Sequence, residues 1–268
     1  MNEEFPPEVH RSTVTIPLPA ASDGRPLGEV RALIDEPDEP VGRILLLHGF
    51  GRGPAALDRL AYALARDGFW VMRPHLRSRP GKRGISDLEV MSALGFAVAA
   101  WRPTAGPLVV VGHSAGGAVA MRAAAQLVEG GATVHGVVLL DSNGNIERIM
   151  EPALTTLTRA GVPVRTVAAA PGPCNRQGQI VRWLAEQDLG FVGVLTSGTH
   201  CDAEDDKADA TCRLLCGGAV NPADAAVLRA LVVGWSRAWI RGTEDADLLP
   251  GGRRLQVWED LDVIQVIH

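Results

Sequence analysis

One short motif constrains the fold of this chain more than any other feature: the sequence GHSAGG at residues 112–117. An apolar run typical of a buried strand, residues 108–111, precedes it, and an Ala-rich helical pattern follows it. The pattern G-x-S-x-G between a strand and a helix places its serine on a sharp, strained turn that exposes the hydroxyl. Gly112 and Gly116 stand two residues on either side of Ser114, where a larger side chain would collide with the turn. The motif therefore predicts a strand followed by a helix, with Ser114 as a nucleophile between them.

Short apolar runs alternate with helical patterns along the rest of the chain. The predicted strands are residues 43–48, 69–72, 107–111, 136–140, 162–169 and 191–195. The predicted helices are residues 54–67, 86–101, 115–129, 176–188 and 223–240. This alternation predicts the α/β class, with a mainly parallel central sheet and helices on both faces.

The regions outside this alternation are short. Residues 1–40 alternate only weakly and fit two N-terminal edge strands of a hairpin, with Asp23-Gly24 as the turn. The segment 142–161 is interpreted as a short insertion, too small to hold a large cap domain. Because no internal repeat or linker divides the chain, we expect one domain over residues 1–268, with a short cap or none.

The general base should come late in the chain, in a loop beyond the last strand, where it can reach the top of the sheet. Of the seven histidines, His200 fits, because it ends the loop that follows the predicted strand 191–195. His113 lies beside the serine, but the geometry of the turn directs it away. The sequence therefore predicts His200 as the base that activates Ser114.

The acid partner of His200 must fix the tautomer of the imidazole and stabilise the imidazolium. Asp141 directly follows the predicted strand after that of the nucleophile and is the leading candidate. Asp202 is the alternative, although the acidic run 202–206 is better interpreted as a solvated loop. The loop after the next predicted strand carries no carboxylate; its Asn175 can orient a histidine but brings no charge.

Acyl transfer also needs two preorganised N–H donors for the oxyanion. One would be the amide of Ala115, the residue after the nucleophile. The other is predicted to be the amide of Phe50 in the sequence HGFG at residues 48–51, since its glycines let the backbone approach a substrate closely. His48 comes too early in the chain to be the base and is interpreted as a structural hydrogen-bonding residue.

The sequences GHSAGG, HGFG and the late GTHCD at residues 198–202, in the order Ser, Asp, His, resemble the α/β-hydrolase superfamily. The resemblance extends over about residues 40–240 and is nearest to small esterases with little or no cap, loosely chlorophyllase-like and dienelactone-hydrolase-like ones. In chlorophyllase-like members the acid follows the strand after the nucleophile strand, which corresponds to Asp141. The acid position common in the superfamily, one strand later, holds no carboxylate here.

These residues and the resemblance imply a serine hydrolase that cleaves carboxylic esters through an acyl-enzyme, with Ser114, His200 and Asp141 as its triad. No metal or organic cofactor is expected, and the partner is a small ester or acyl substrate. A thioesterase, lactonase or acyltransferase would use the same residues. The alternative from another class, a non-catalytic ligand-binding homologue, would usually lack a triad member. The oligomeric state stays open.

The charge and hydropathy of the chain argue against two other kinds of partner. Its 26 Lys and Arg against 31 Asp and Glu give a net charge of −5, so no basic surface for nucleic acid is expected. No apolar run reaches the ~18 residues that a membrane span needs. The acidic start of the chain lacks the apolar region of a signal peptide, which favours a cytoplasmic location unless a leader has been removed.

Three of the four cysteines lie close to His200 along the sequence. A disulfide from Cys201 to Cys212 or Cys216 and free buried thiols are both compatible with this spacing. Cys212 and Cys216 are four residues apart on one helix face, which disfavours a bond between them. Without a C-x-x-C pair, a zinc site is the weaker interpretation.

Overall fold

The computed structural model describes residues 9–76, 87–100, 106–187, 189 and 191–267, and only the backbone at residues 96 and 98–100. The ends predicted for two helices, at residues 86, 101 and 188, lie outside this part of the chain. Within it, nine strands form one sheet in the order β1-β2-β4-β3-β5-β6-β7-β8-β9. The strands are β1 (Val9–Pro17), β2 (Glu29–Pro37), β3 (Gly42–Leu47), β4 (Phe69–Pro74), β5 (Leu108–His113), β6 (Gly136–Leu140), β7 (Val164–Ala168), β8 (Val192–Leu195) and β9 (Ile264–Val266).

The sheet is parallel from β4 through β3, β5, β6 and β7 to β8, and antiparallel at both ends. This confirms the predicted mainly parallel sheet. Nearly every residue of β3 to β7 is buried, as expected of strands that helices cover on both faces. The carboxyl ends of these strands meet at one edge of the sheet, where the candidate residues lie.

Helices cover both faces of the sheet, as predicted. One apolar core contains residues of α2, α3, α4 and α5, and a second, on the opposite face, contains residues of α1, α7 and α8. The helices are α1 (Asp58–Arg66), α2 (Leu88–Ala100), α3 (Ala115–Glu129), α4 (Glu151–Arg159), α5 (Gln179–Ala185), α6 (Ala210–Leu215), α7 (Pro222–Ile240) and α8 (Arg253–Asp260).

The N-terminal hairpin forms, but only β1 is an edge strand. β2 lies between β1 and β4 and pairs with both in the antiparallel sense. The turn is close to Asp23-Gly24, where the amide of Gly24 donates a 2.9 Å hydrogen bond to Ala21 and φ of Gly24 is +80°. Glycine suits this position because the left-handed region carries no steric penalty for it.

The segment 142–161 contains a π-helix, Ile146–Met150, and then α4. Ala153, Leu154 and Leu157 of α4 are buried in the same core as α3, so this segment is the crossover from β6 to β7. π-Helices are rare and occur frequently at functional sites. Near the C-terminus, α6, α8 and the three-residue β9 were not predicted, because their patterns are short and weak.

Candidate active site

Ser114 occupies the turn between the end of β5 and the start of α3. Its backbone angles, φ 55° and ψ −128°, are strongly disfavoured for a residue with a side chain. Its amide donates a 3.0 Å hydrogen bond to the carbonyl of Leu140 at the end of β6, which helps to hold the turn in place. The side chain of Ser114 therefore lies at the carboxyl edge of the sheet on a fixed, strained backbone, as the motif predicts.

Glycines around Ser114 are required by close backbone contacts. A methyl group on Gly112 would collide with the carbonyl oxygen of Gly116, and one on Gly116 would lie 2.5 Å from the carbonyl oxygen of Leu47. A methyl group on Gly49, in the β3–α1 loop, would lie 2.9 Å from Cβ and 3.3 Å from Oγ of Ser114. The loop after β3 thus approaches the serine so closely that only glycine fits at residue 49.

His200 and Asp141 are in direct contact. His200 Nδ1 lies 2.5 Å from Asp141 Oδ2, and both side chains are buried. The other carboxylate oxygen, Oδ1, accepts hydrogen bonds from the amide of Ala169 at 3.1 Å and from Asn175 Nδ2 at 2.9 Å. Because an ionised carboxylate only accepts, Nδ1 of His200 must carry the proton, and Nε2 is left to serve a hydroxyl.

Ser114 is placed near this pair through its neighbours. The residue before Asp141 accepts its amide hydrogen bond, and the ring of His113 lies 4.7 Å from the ring of His200 between centroids. Ser114 Oγ makes no hydrogen bond with any residue that the structure describes. Such bonds are often long in enzymes without substrate and tighten when substrate binds.

Asn175 fixes the acid and not the histidine. Its Nδ2 bonds Asp141, while its Oδ1 accepts from the amides of Gly172 at 2.8 Å and Gly178 at 2.9 Å. Its side chain is buried, so these bonds fix both the amide and the loop that carries it. Asn175, in the loop after β7, thus supports the carboxylate that follows β6.

Asp202 bonds backbone amides of its own loop and of the start of α7. Its carboxylate accepts from the amides of Thr199 at 2.7 Å and Asn221 at 2.9 Å. Burial raises the pKa of Asp202, and these two hydrogen bonds oppose the increase. It therefore anchors the start of α7 to the loop of His200, and Asp141 is the carboxylate that bonds the imidazole.

The interpretation of residues 202–206 as a solvated loop is wrong for two of its acids. Asp202 and Glu204 are each 1% exposed. Glu204 accepts two hydrogen bonds from the guanidinium of Arg52, which follows the HGFG sequence. Charged side chains are buried in a protein interior only when they are paired. The sequence could not predict the burial of Glu204, because its partner Arg52 lies 152 residues away.

His113 connects the serine turn to the loop of His200. Its Nε2 donates a 3.0 Å hydrogen bond to the carbonyl of His200, and its Nδ1 lies 3.9 Å from Glu204 Oε1. Burial lowers the pKa of His113 well below its usual value, so the ring is neutral. With Arg52, these residues join three loops: the one after β3, the one after β5 and the one after β8.

His48 has the structural role predicted for it. Its Nε2 accepts from the amide of Leu76 at 3.0 Å, so its Nδ1 carries the proton and donates to the carbonyl of Gly49 at 2.8 Å. Burial lowers the pKa of His48 to about 4, which keeps the ring neutral as these bonds require. His48 thereby fixes the peptide that approaches Ser114.

The candidate oxyanion donors, Phe50 and Ala115, line the same cavity of about 350 Å³. Neither amide has a backbone acceptor in the part of the chain that the structure describes. Ala115 is the first residue of α3, and the amides of a helix's first turn have no acceptor within it. Phe50 and Ala115 therefore stay candidates for the two amide donors that an oxyanion requires.

Two disulfides hold the loops of the site. They join Cys201 to Cys212 and Cys174 to Cys216. Cys201 follows His200, and Cys174 precedes Asn175, so each bond lies next to a residue of the hydrogen-bond chain. The first pairing is one of the two predicted; the second was missed because Cys174 lies 42 residues from its partner.

The described residues contain no cluster of three or more His, Cys, Asp or Glu side chains suited to a metal ion. Among them, no helix has the length and apolar character to cross a membrane.

The chain is similar to known hydrolases in sequence pattern and fold. The family model described as a thioesterase domain matches residues 43–148, and no curated protein sequence matches. A dienelactone hydrolase from Anabaena variabilis ATCC 29413 has a TM-score of 0.62 and 15% identity, over 87% of this chain and 99% of that chain. Carboxyl esterase 2 of the fungus Tuber melanosporum has a TM-score of 0.59 and 15% identity, over 88% of this chain and 89% of that chain.

A third solved structure, the esterase domain of a Rhodothermus marinus protein, has a TM-score of 0.55 and 18% identity, over 85% of this chain and 98% of that chain. At such identities the likeness shows the fold alone. Together with the sheet order and the turn at Ser114, it shows that the chain has the α/β-hydrolase fold.

Proposed function

We propose that this protein of the α/β-hydrolase fold is a serine hydrolase that cleaves carboxylic esters through a Ser114–His200–Asp141 triad. The observation that carries the proposal is the 2.5 Å contact between His200 Nδ1 and Asp141 Oδ2, next to a serine on a strained turn. The match to the thioesterase model and the likeness to esterases and a dienelactone hydrolase support ester hydrolysis in general.

In the first half of the reaction, His200 Nε2 accepts the proton of Ser114 as Oγ bonds to the acyl carbon. The carbonyl oxygen becomes an oxyanion, which accepts hydrogen bonds from the amides of Phe50 and Ala115. Asp141 holds the imidazole in the required tautomer and stabilises its positive charge. The carbon–oxygen bond to the alcohol then breaks, the alcohol oxygen takes the proton from His200, and an ester of Ser114 remains.

In the second half, water attacks the acyl carbon and gives its proton to His200 Nε2. The bond to Ser114 Oγ breaks, the proton returns to Oγ, and the carboxylic acid leaves. The strained backbone of Ser114 and the fixed carboxylate of Asp141 keep the reacting groups aligned, so little reorganisation is needed during the reaction.

A thioester is the second candidate substrate, and the thioesterase match at residues 43–148 favours it specifically. The same residues would act, with a thiolate leaving in place of an alkoxide. Comparison of an oxygen ester with a thioester of the same acyl group, both butanoyl, separates the two. A higher kcat/KM for the thioester would assign the protein to the second class.

The experiment that tests the proposal is hydrolysis of 4-nitrophenyl butanoate, together with labelling by a fluorophosphonate. We expect Ser114→Ala to abolish both, and Ser142→Ala to keep both. Ser142 is a suitable control because it is also buried near the turn, and its hydroxyl has no hydrogen-bond partner among the described residues. Turnover that survives Ser114→Ala, or specific ligand binding without turnover in the native chain, would contradict the proposal.

The two disulfides bear on location. Disulfides persist in oxidising compartments and are rare in the cytosol of most organisms. The described structure thus favours an oxidising compartment over the cytoplasmic location expected from the sequence, and fractionation of the native host would decide between them.

A further inference from the structure

The cavity that Phe50 and Ala115 line has both apolar and charged lining residues. The apolar ones include Leu88, Met91, Ala118 and Ile149, from α2, α3 and the π-helix. Among the described lining residues, the charged ones are two arginines, Arg148 and Arg176. A ligand that fills the cavity would therefore meet apolar side chains and two positive charges.

The two arginines have their guanidinium groups available. Both side chains are exposed, and neither makes an ion pair or side-chain hydrogen bond with a residue that the structure describes. By contrast, Arg52 and Arg73 are held by Glu204 and Asp35. The guanidinium groups of Arg148 and Arg176 are thus free to bind a ligand.

The backbones that carry these arginines are held in place. The amide of Arg148 donates a 2.8 Å hydrogen bond to Asn145 Oδ1 at the start of the π-helix. Arg176 has φ 51° and directly follows Asn175, whose side chain bonds Asp141. A left-handed backbone conformation is unfavourable for arginine, so the surrounding structure must hold it. The buried, hydrogen-bonded side chain of Asn175 next to Arg176 does this.

The charge of the cavity is opposite to that of the chain. The net charge of the protein is −5, yet no carboxylate is among the described residues that line this cavity. Two guanidinium groups in a cavity whose described lining holds no carboxylate attract an anion and match the geometry of a carboxylate or phosphate. An uncharged ester would leave both groups to the solvent.

We propose that the substrate is an ester that carries an anionic group, a carboxylate in the simplest case, which Arg148 and Arg176 bind. The apolar part of the substrate lies against Met91 and Ile149, and the scissile carbonyl faces the amides of Phe50 and Ala115. This inference rests on the proposed function, because it assigns the specificity of the same site.

The test compares anionic with uncharged esters, with the anion on either side of the scissile bond. On the acyl side, the mono-4-nitrophenyl ester of adipic acid is compared with 4-nitrophenyl heptanoate. On the alcohol side, 3-carboxyphenyl butanoate is compared with phenyl butanoate. After correction for spontaneous hydrolysis, we expect kcat/KM to favour the anionic ester about tenfold in one of the two pairs, which identifies the side bound.

Variants of the two arginines test whether the cavity causes the preference for anionic esters. We expect Arg148→Gln and Arg176→Gln each to lower the ratio of anionic to uncharged kcat/KM, and the double variant to bring it to one or below. Arg159→Gln removes the same charge from the last turn of α4, outside the cavity, and should keep the ratio.

Two outcomes overturn the inference while leaving ester hydrolysis in place: equal turnover of both members of each pair, or a preference that persists in the double variant. A native chain that hydrolyses none of the four esters overturns the proposed function and the inference together. The readout is a ratio within one protein sample, so partial unfolding of a variant does not imitate a loss of preference.

Discussion

Asn175 donates a 2.9 Å hydrogen bond from Nδ2 to Oδ1 of Asp141, across the ends of two neighbouring strands. Asp141 follows β6, and Asn175 lies in the loop after β7, where the resemblance would place the acid. The amide occupies one carboxylate oxygen, and the other oxygen bonds His200. The carboxylate that bonds His200 and the amide that supports it are thus divided between the loops after β6 and β7.

This division predicts unequal effects of substitution. Asp141→Asn should lower kcat by about 10³–10⁴, since an amide in place of the carboxylate fixes the wrong imidazole tautomer. Asn175→Ala should lower kcat far less, because Asp141 keeps its bonds to His200 and to the amide of Ala169. Steady-state kinetics with 4-nitrophenyl butanoate measures both, and the reverse ranking would contradict the assignment of Asp141.

Gly49 provides a test of the loop that approaches Ser114. Gly49→Ala should lower kcat at least tenfold, because its Cβ would lie 2.9 Å from Ser114 Cβ and displace the serine or the loop. Gly53→Ala in the same loop is the matched control, since a Cβ there meets nothing within 4 Å and φ is −132°. Circular dichroism should show that both variants are folded. If the two variants were equally active, the close contact between residue 49 and Ser114 would not matter for turnover.

Burial of His48 predicts a loss of stability in mild acid. Its pKa is about 4 in the folded chain against a usual value of 6.5, so the unfolded chain binds more protons between these values. Stability therefore falls as the pH falls through this range, by about 2 kcal/mol from this residue between pH 7 and 5. Urea unfolding at the two pH values measures the fall.

The control for His48 separates its contribution from that of other groups. His48→Asn should be less stable at pH 7 but lose about 2 kcal/mol less on going to pH 5. If the free energy of unfolding of His48→Asn fell between pH 7 and 5 by as much as that of the native chain, His48 would not be the source of the pH dependence.

The buried pair of Arg52 and Glu204 is expected to support both stability and turnover. Glu204→Gln removes the buried partner of Arg52, whose guanidinium keeps its ion pair with Asp209, at a cost of about 2 kcal/mol. Because Glu204 follows His200 by four residues, kcat should fall more than KM rises. Glu244→Gln breaks an ion pair whose carboxylate is 68% exposed and should cost less than about 1 kcal/mol.

The disulfides predict sensitivity to reduction. Removal of the Cys174–Cys216 pair by serine substitution should cost about 4 kcal/mol, and removal of the Cys201–Cys212 pair about 3, because the first closes the longer loop. Either change should also lower kcat, since Asn175 and His200 adjoin these cysteines. Unfolding and activity with and without dithiothreitol provide the measurement; indifference to the reductant would contradict both pairings.

Much of the site could be predicted from local patterns. The turn at Ser114 has its own signature because sterics demand small residues at fixed distances along the chain. Strand ends can also be located from apolar runs, so Asp141 and His200 could be assigned to loops at one edge of a parallel sheet. The hydrogen bond of His48 to its neighbouring peptide is equally local.

The sequence by itself determined the α/β class and the serine turn, and it predicted Ser114, Asp141 and His200 as nucleophile, acid and base, because each depends on residues close together in the chain. Only the tertiary structure decided that Asn175 supports Asp141, that Glu204 is buried against Arg52, and which cysteines pair. These relationships join loops from different strands. Their energies depend on desolvation and on angles between groups many residues apart, and neither can be predicted from the spacing of residues along the chain.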